Sequence, residues 1–169
     1  IMNYKKSFNF LKKLPPKLNS FYKKKSSSGI RVNNKSKSKK DFDPVTNFDK
    51  SFEKYIRLLI NKKFPYDAII GEEFKDKLSS NNLQWSIDPI DGTRAFVIGA
   101  PTWSNLISLS YLGKSILGLA NFPELNKYYL NDKKKSYVFK NNKRSILQSS
   151  KNNNLKKIKI IGNFHGTLS

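Results

Sequence analysis

Carboxylates are scarce in this chain, so their grouping is informative: 12 Asp and Glu stand against 33 Lys and Arg. Glu72 and Glu73 follow Gly71, directly after the short apolar run Ala68-Ile69-Ile70. Asp88 and Asp91 bracket Pro89-Ile90 at the end of a second β-favouring run, Trp85-Ser86-Ile87, and Gly92-Thr93 come next. Asp43 and Asp49 flank the start of a long periodic segment. Acids gathered at strand ends repel one another unless a cation sits between them. There is no cysteine, and His165 is the lone histidine, so thiolate and His-rich sites are all but excluded. Ligation by oxygen favours Mg²⁺, Mn²⁺ or Ca²⁺.

The segment Asp88-Pro89-Ile90-Asp91-Gly92-Thr93 suits a hard cation. Pro89 stiffens the turn and lacks an N–H, so Asp88, Asp91 and the Ile90 carbonyl can converge from one loop. Gly92 and Thr93 would open a short helix over Thr93 to Val97, with N–H groups placed to receive a phosphate. Metal ions combined with helix-end donors form a phosphoryl-transfer site. Each piece alone also has a plainer explanation. A D-P-x-D-G segment is a common turn, Asp49 is a good first-turn carboxylate, Glu72-Glu73 suits a solvated strand end, and Arg94 suits a helix-surface cation.

The elements that must position these groups follow from periodicity. Phe48, Phe52, Tyr55, Ile56, Leu59, Ile60 and Phe64 recur at three- and four-residue steps, which predicts a helix from Thr46 to Phe64, capped by Thr46 and stopped by Pro65. Residues 1–14 form a basic segment with helical potential, and Pro15-Pro16 end it or open a second helix over Lys17 to Lys25. Ser26 to Lys40 reads as a loop around a short Ile30–Val32 strand. Strands are expected at Ala68–Ile70, Trp85–Asp88, Asn105–Tyr111 and Ser115–Asn121, the last two joined at Leu112-Gly113-Lys114. A second hairpin pairs Lys127–Leu130 with Ser136–Phe139. A polar stretch, Lys140–Asn154, leads to a last strand at Ile158–Ile161. Helices packed on a largely antiparallel sheet make the class α+β, with residues 15–169 as its domain.

Gly71-Glu72-Glu73 followed by Trp85-Ser86-Ile87-Asp88-Pro89-Ile90-Asp91-Gly92-Thr93 resembles the signature of the inositol monophosphatase-like superfamily. Upstream, Asp43-Pro44-Val45-Thr46-Asn47-Phe48-Asp49 is similar to that family's D-x-V-T-x-x-D segment. The resemblance runs from about Lys17 to Ile161. It implies the N-terminal part of the layered α/β/α/β/α sugar-phosphatase fold. It implies a first Mg²⁺ on Glu72, Asp88 and the Ile90 carbonyl, a second shared by Asp88 and Asp91, and a weaker third near Asp49, with Mn²⁺ as an alternative metal. Glu72 and Thr93 would position and deprotonate the attacking water. Asp91, Gly92, Thr93 and Arg94 would face phosphate or substrate. Arg94-Ala95-Phe96 looks more like the histidinol-phosphatase branch, which acts in histidine biosynthesis, than like the inositol branch. Inositol 1-phosphate and 3′(2′),5′-bisphosphate nucleotides are the alternative substrates. Members are longer, with a further Asp for the second metal, and nothing after Asp132 is acidic here. The chain therefore reads as a C-terminally truncated fragment, inactive or very slow by itself. A homodimer is expected of the full-length protein.

The net charge of +21 admits a rival class, a basic nucleic-acid-binding module. Compositional drift accounts for the charge better. Lysines are scattered throughout, and Arg occurs only at Arg31, Arg57, Arg94 and Arg144. The aromatics fall at core-like positions rather than on a basic face. A non-catalytic remnant that still binds metal is the other rival. No apolar run is long enough for a membrane helix, and a cytoplasmic location is expected by default.

Overall fold

The structure, a computed structural model, describes residues 4–27, 29–34, 44–141, 143–151, 154 and 156. Helix α1 (Tyr4–Lys12) meets helix α2 (Leu14–Ser26) across Lys13 alone. Pro15 and Pro16 lie in the first turn of α2, where the missing N–H has no intrahelical partner to lose. Leu11, Leu14 and Leu18 put the apolar edge of this helix pair into the core.

Helix α3 (Asn47–Lys63) buries Phe48, Phe52, Ile56 and Ile60, which recur every four residues. Its start is locked from both sides. The Phe48 N–H donates to the Thr46 hydroxyl at 3.1 Å, and the Thr46 N–H donates to the Asp49 carboxylate at 2.7 Å. Such a cap contributes about 1 kcal/mol. A short antiparallel ribbon, β1 (Val32–Asn34) with β2 (Pro44–Thr46), leads into α3.

The main sheet runs in chain order: β3 (Ala68–Gly71), β4 (Leu83–Asp91), β5 (Ser104–Tyr111), β6 (Lys114–Phe122), β7 (Lys127–Asn131), β8 (Ser136–Lys140) and β9 (Lys143–Ile146). Strands β3 and β4 pair in parallel, and every later pair is antiparallel. Side chains alternate between two faces. Trp85, Ile87, Ile107, Leu109, Leu117 and Leu119 belong to one core cluster with the helices. Between them, Ser86, Asp88, Ser108, Gly118 and Ala120 belong to the opposite parity and line a groove of about 820 Å³. Trp85 is anchored at its polar end, with Nε1–H donating to Asp67 Oδ2 at 2.9 Å. The β5–β6 turn uses Leu112 (φ 48°) and Gly113 (φ 74°), both in the left-handed region, as a twisted two-residue hairpin requires.

The structure departs from the sequence reading in three places. Strand β9 falls inside the stretch 140–154 expected to be irregular. All four of its residues are exposed, so no apolar alternation marks it. Strand β1 begins at Val32 rather than Ile30. Asp88-Pro89-Ile90-Asp91 is not a free turn but the end of β4, with a β-bulge between Asp88 and Asp91. Asp43, the expected strand Ile158–Ile161 and His165 lie outside the described residues.

Candidate metal and phosphate site

Parallel pairing brings the acids together. The register Gly71↔Ile87 carries Glu72, just past β3, alongside Asp88 of β4. Asp88 points to the groove side, and burial is the largest influence on it. Burial first, then the charges of Glu72 and Asp91, push its carboxyl up to about 7; Asp49 adds in the same direction, while a backbone hydrogen bond at Ile90 opposes them. The carboxylate oxygen Oδ1 of Asp88 is buried without any hydrogen-bond partner. A buried, unsatisfied carboxylate oxygen among further carboxylates fits a hard cation, which would supply both the missing ligand and the missing counter-charge.

The bulge sets the geometry around Asp91. Asp88 pairs with Leu106 and Asp91 with Ser104, so Pro89 and Ile90 together face Asn105. Asn105 fills that gap and donates through Nδ2 to the Pro89 carbonyl at 2.7 Å. Its Oδ1 accepts from Asn121 Nδ2 at 2.9 Å, and Asn121 also donates to Asn19 of α2 at 2.9 Å. The Ser104 hydroxyl donates to Asp91 Oδ2 at 3.3 Å. Gly92, at φ 81°, then turns the chain left-handedly into helix α4 (Thr93–Val97). A Cβ at Gly92 would meet only ordinary contacts, so glycine is needed there for its backbone angle rather than for space. The Thr93 hydroxyl donates to the Ile90 carbonyl at 3.0 Å. That carbonyl therefore already serves Thr93, with a second lone pair remaining.

Asp49, Glu72 and Asp91 thus all act electrostatically on Asp88. Among the described residues, however, no three acidic or histidine side chains form a ready-made cage. Asp49 also closes the capping box of α3 opposite the N-cap Thr46: it is buried, and its Oδ2 accepts from the Thr46 N–H at 2.7 Å and the Thr46 hydroxyl at 2.6 Å. Glu72, Asp91, Gly92 and Arg94 are exposed, and Thr93 is half-buried. Ser104, Asn105 and Glu53 also serve this region, although no motif marks them in the sequence. The first two open β5 before its alternation is evident. Glu53 had a signal: it sits within the apolar stripe of α3, four residues before Arg57, the spacing of a helical ion pair.

Comparison with known proteins places the fold. The Inositol monophosphatase family pattern matches residues 14–167. A histidinol-phosphatase of Chlorobaculum parvum is 47% identical over 92 residues, which is 54% of this chain and 36% of that enzyme. The Thermotoga maritima IMPase superposes with a TM-score of 0.68 at 30% identity, covering 86% of this chain and 54% of the other. An IMPase/NADP phosphatase complexed with Mg²⁺ and phosphate shares the fold, with a TM-score of 0.60 at 21% identity over 76% of this chain and 51% of its own. The chain spans little more than half the length of these solved relatives. Among the described residues no helix is long and apolar enough to cross a membrane. With its family pattern matched over most of its length, the chain belongs to the inositol monophosphatase family.

Proposed function

We propose that the protein carrying this chain is a Mg²⁺-dependent phosphomonoesterase that hydrolyses a small phosphorylated alcohol, with histidinol phosphate preferred. The buried, partnerless Oδ1 of Asp88 beside Glu72 and Asp91 carries this reading. Glu72, Asp88, Asp91 and the Ile90 carbonyl would hold Mg²⁺ or Mn²⁺, with Asp49 near a weaker site. The ion would supply a Lewis acid and a lowered pKa for bound water. Glu72 orients the attacking water and accepts its proton. The Thr93 hydroxyl, fixed by its bond to the Ile90 carbonyl, offers its oxygen to a water hydrogen. The Gly92 and Thr93 N–H groups bind phosphate, and exposed Arg94 faces the alcohol half of the substrate. Similarity to a histidinol-phosphatase and the Arg94-Ala95-Phe96 segment support the preferred ester. Inositol 1-phosphate is the second choice, supported by the likeness to the Thermotoga IMPase.

Steady-state kinetics on the full-length protein test this reading. Glu72→Gln should lower kcat far more than it changes KM, because its effect lies in the transition state. Arg94→Ala should change the ratio between histidinol phosphate and inositol phosphate. A Glu72→Gln enzyme as fast as wild type removes Glu72 from the mechanism, and a preference for inositol phosphate leaves the phosphatase reading but sinks the branch assignment.

A further inference from the structure

Glu53 is a charged residue with 0% exposure, located in α3 one residue after the core side chain Phe52. A buried carboxylate is costly unless its oxygens are fully engaged, and both of these are. Oε1 takes the Arg57 Nε–H at 2.7 Å, and Oε2 takes the backbone N–H of Glu73 at 2.7 Å. Arg57 extends the clamp by donating to the Phe74 carbonyl at 3.1 Å. The other side of the carboxylate lies against Gly71. A Cβ built there would fall 2.8 Å from Glu53 Oε2 and nearer still to Oε1, closer than real side chains approach. Glu53 is thus in contact with Gly71 and Glu73, the residues on either side of Glu72, and is tied through Arg57 to Phe74. It is not among the charges that raise Asp88, which are Glu72, Asp91 and Asp49.

From this geometry we infer that Glu53 is the positioning residue for Glu72. Its carboxylate holds the backbone at Gly71 and Glu73, Arg57 holds it at Phe74, and Gly71 is glycine because the carboxylate occupies the space of a side chain. The inference rests on the metal-site reading above and deepens it. Without the clamp, Glu72 still carries its charge but no longer holds it beside Asp88. Groups that orient metal ligands in this way change metal affinity by roughly 10- to 100-fold when removed.

The 169-residue chain can be tested directly by Mn²⁺ titration calorimetry, with circular dichroism to verify folding. Glu53→Ala and Gly71→Ala should each weaken Mn²⁺ binding roughly 10- to 100-fold. Glu53→Gln keeps one oxygen for the Glu73 N–H and should fall between Glu53→Ala and wild type. A double-mutant cycle on thermal midpoints adds a readout that needs no metal. Gly71→Ala should be much less harmful in the Glu53→Ala background, because the new methyl then enters vacated space. Glu53→Ala binding Mn²⁺ as wild type does, or Gly71→Ala equally harmful in both backgrounds, overturns the inference. If wild type takes up no Mn²⁺, the metal reading fails, and amide exchange at Glu73 decides the clamp separately. Protection present in wild type and lost in Glu53→Ala sustains it, and unchanged exchange refutes it.

Discussion

Replacing Asp88 by Asn should move two measurements in opposite directions. Removing a carboxylate that is partly desolvated and crowded by Glu72 and Asp91 should stabilise the metal-free chain at neutral pH, by only about 1–2 kcal/mol once solvent screening of this half-buried group is allowed for. The same change should abolish Mn²⁺ uptake, because an amide is a poor ligand for a hard cation. Thermal melts with and without Mn²⁺ check both effects. A structural carboxylate would lower stability when removed, so the sign separates site from scaffold. Asp91→Asn should weaken Mn²⁺ binding at least roughly tenfold and stabilise the metal-free chain less than Asp88→Asn does, since Asp91 is exposed and ranks behind burial and Glu72 in its effect on Asp88. The grouping of these acids was legible in the sequence because acids are rare in so basic a chain. The Glu53–Arg57 spacing was legible too, but the hold of Glu53 on Gly71 and Glu73, and that of Ser104 on Asp91, were not, because those contacts are made only on folding.

Among the elements, the bulged end of β4 depends on a polar relay reaching it from α2 through β6 and β5. Asn105→Leu would leave the Pro89 carbonyl without its partner and deprive Asn121 of an acceptor. A loss of about 2–3 kcal/mol is expected, measured by urea denaturation, together with weaker Mn²⁺ binding as the bulge relaxes. A second link joins α2 to the β6–β7 turn, where the Tyr22 hydroxyl donates to Glu124. Burial, followed by Glu124's hydrogen bond and charge, pushes Tyr22 up to about 12 from 10.0. The folded form therefore holds its proton more tightly than the unfolded form. The resulting stabilisation is complete below about pH 10 and is lost as pH rises through about 12. Wild type should lose thermal stability more steeply than Tyr22→Phe across that window. Parallel slopes would show that the link contributes nothing. Helix α3 was legible from its four-residue apolar rhythm, and the hairpins from alternation and turn residues. The bulge was not, because Pro89 and Asp91 look like turn formers until Asn105 is opposite them.

At the scale of the molecule, a charge of +21 is spread over a small domain. Self-repulsion of this kind is screened by salt. The midpoint of thermal unfolding should rise as NaCl goes from about 0.05 M to about 0.5 M; a flat response would mean that the lysines are already well separated. The fold class was readable because chain segments alternate cleanly between period 3.6 and period 2. The fully exposed β9 was not readable, since a strand that buries neither face leaves no pattern. The order of the main sheet has a kinetic consequence. Spatial order equals chain order from β3 to β9, so each strand docks on the one made just before it, and no strand has to wait for a distant partner. Pairing of near neighbours keeps loop-closure costs low and folding fast. On a ribosome the sheet can therefore grow from its first strand outward as the chain emerges. Glu72, Asp88 and Asp91 come from its first two strands and the turn after β3. Glu72 and Asp88 thus come side by side first, at the sheet's founding edge, and Asp91 is set when β5 and β6 dock behind them.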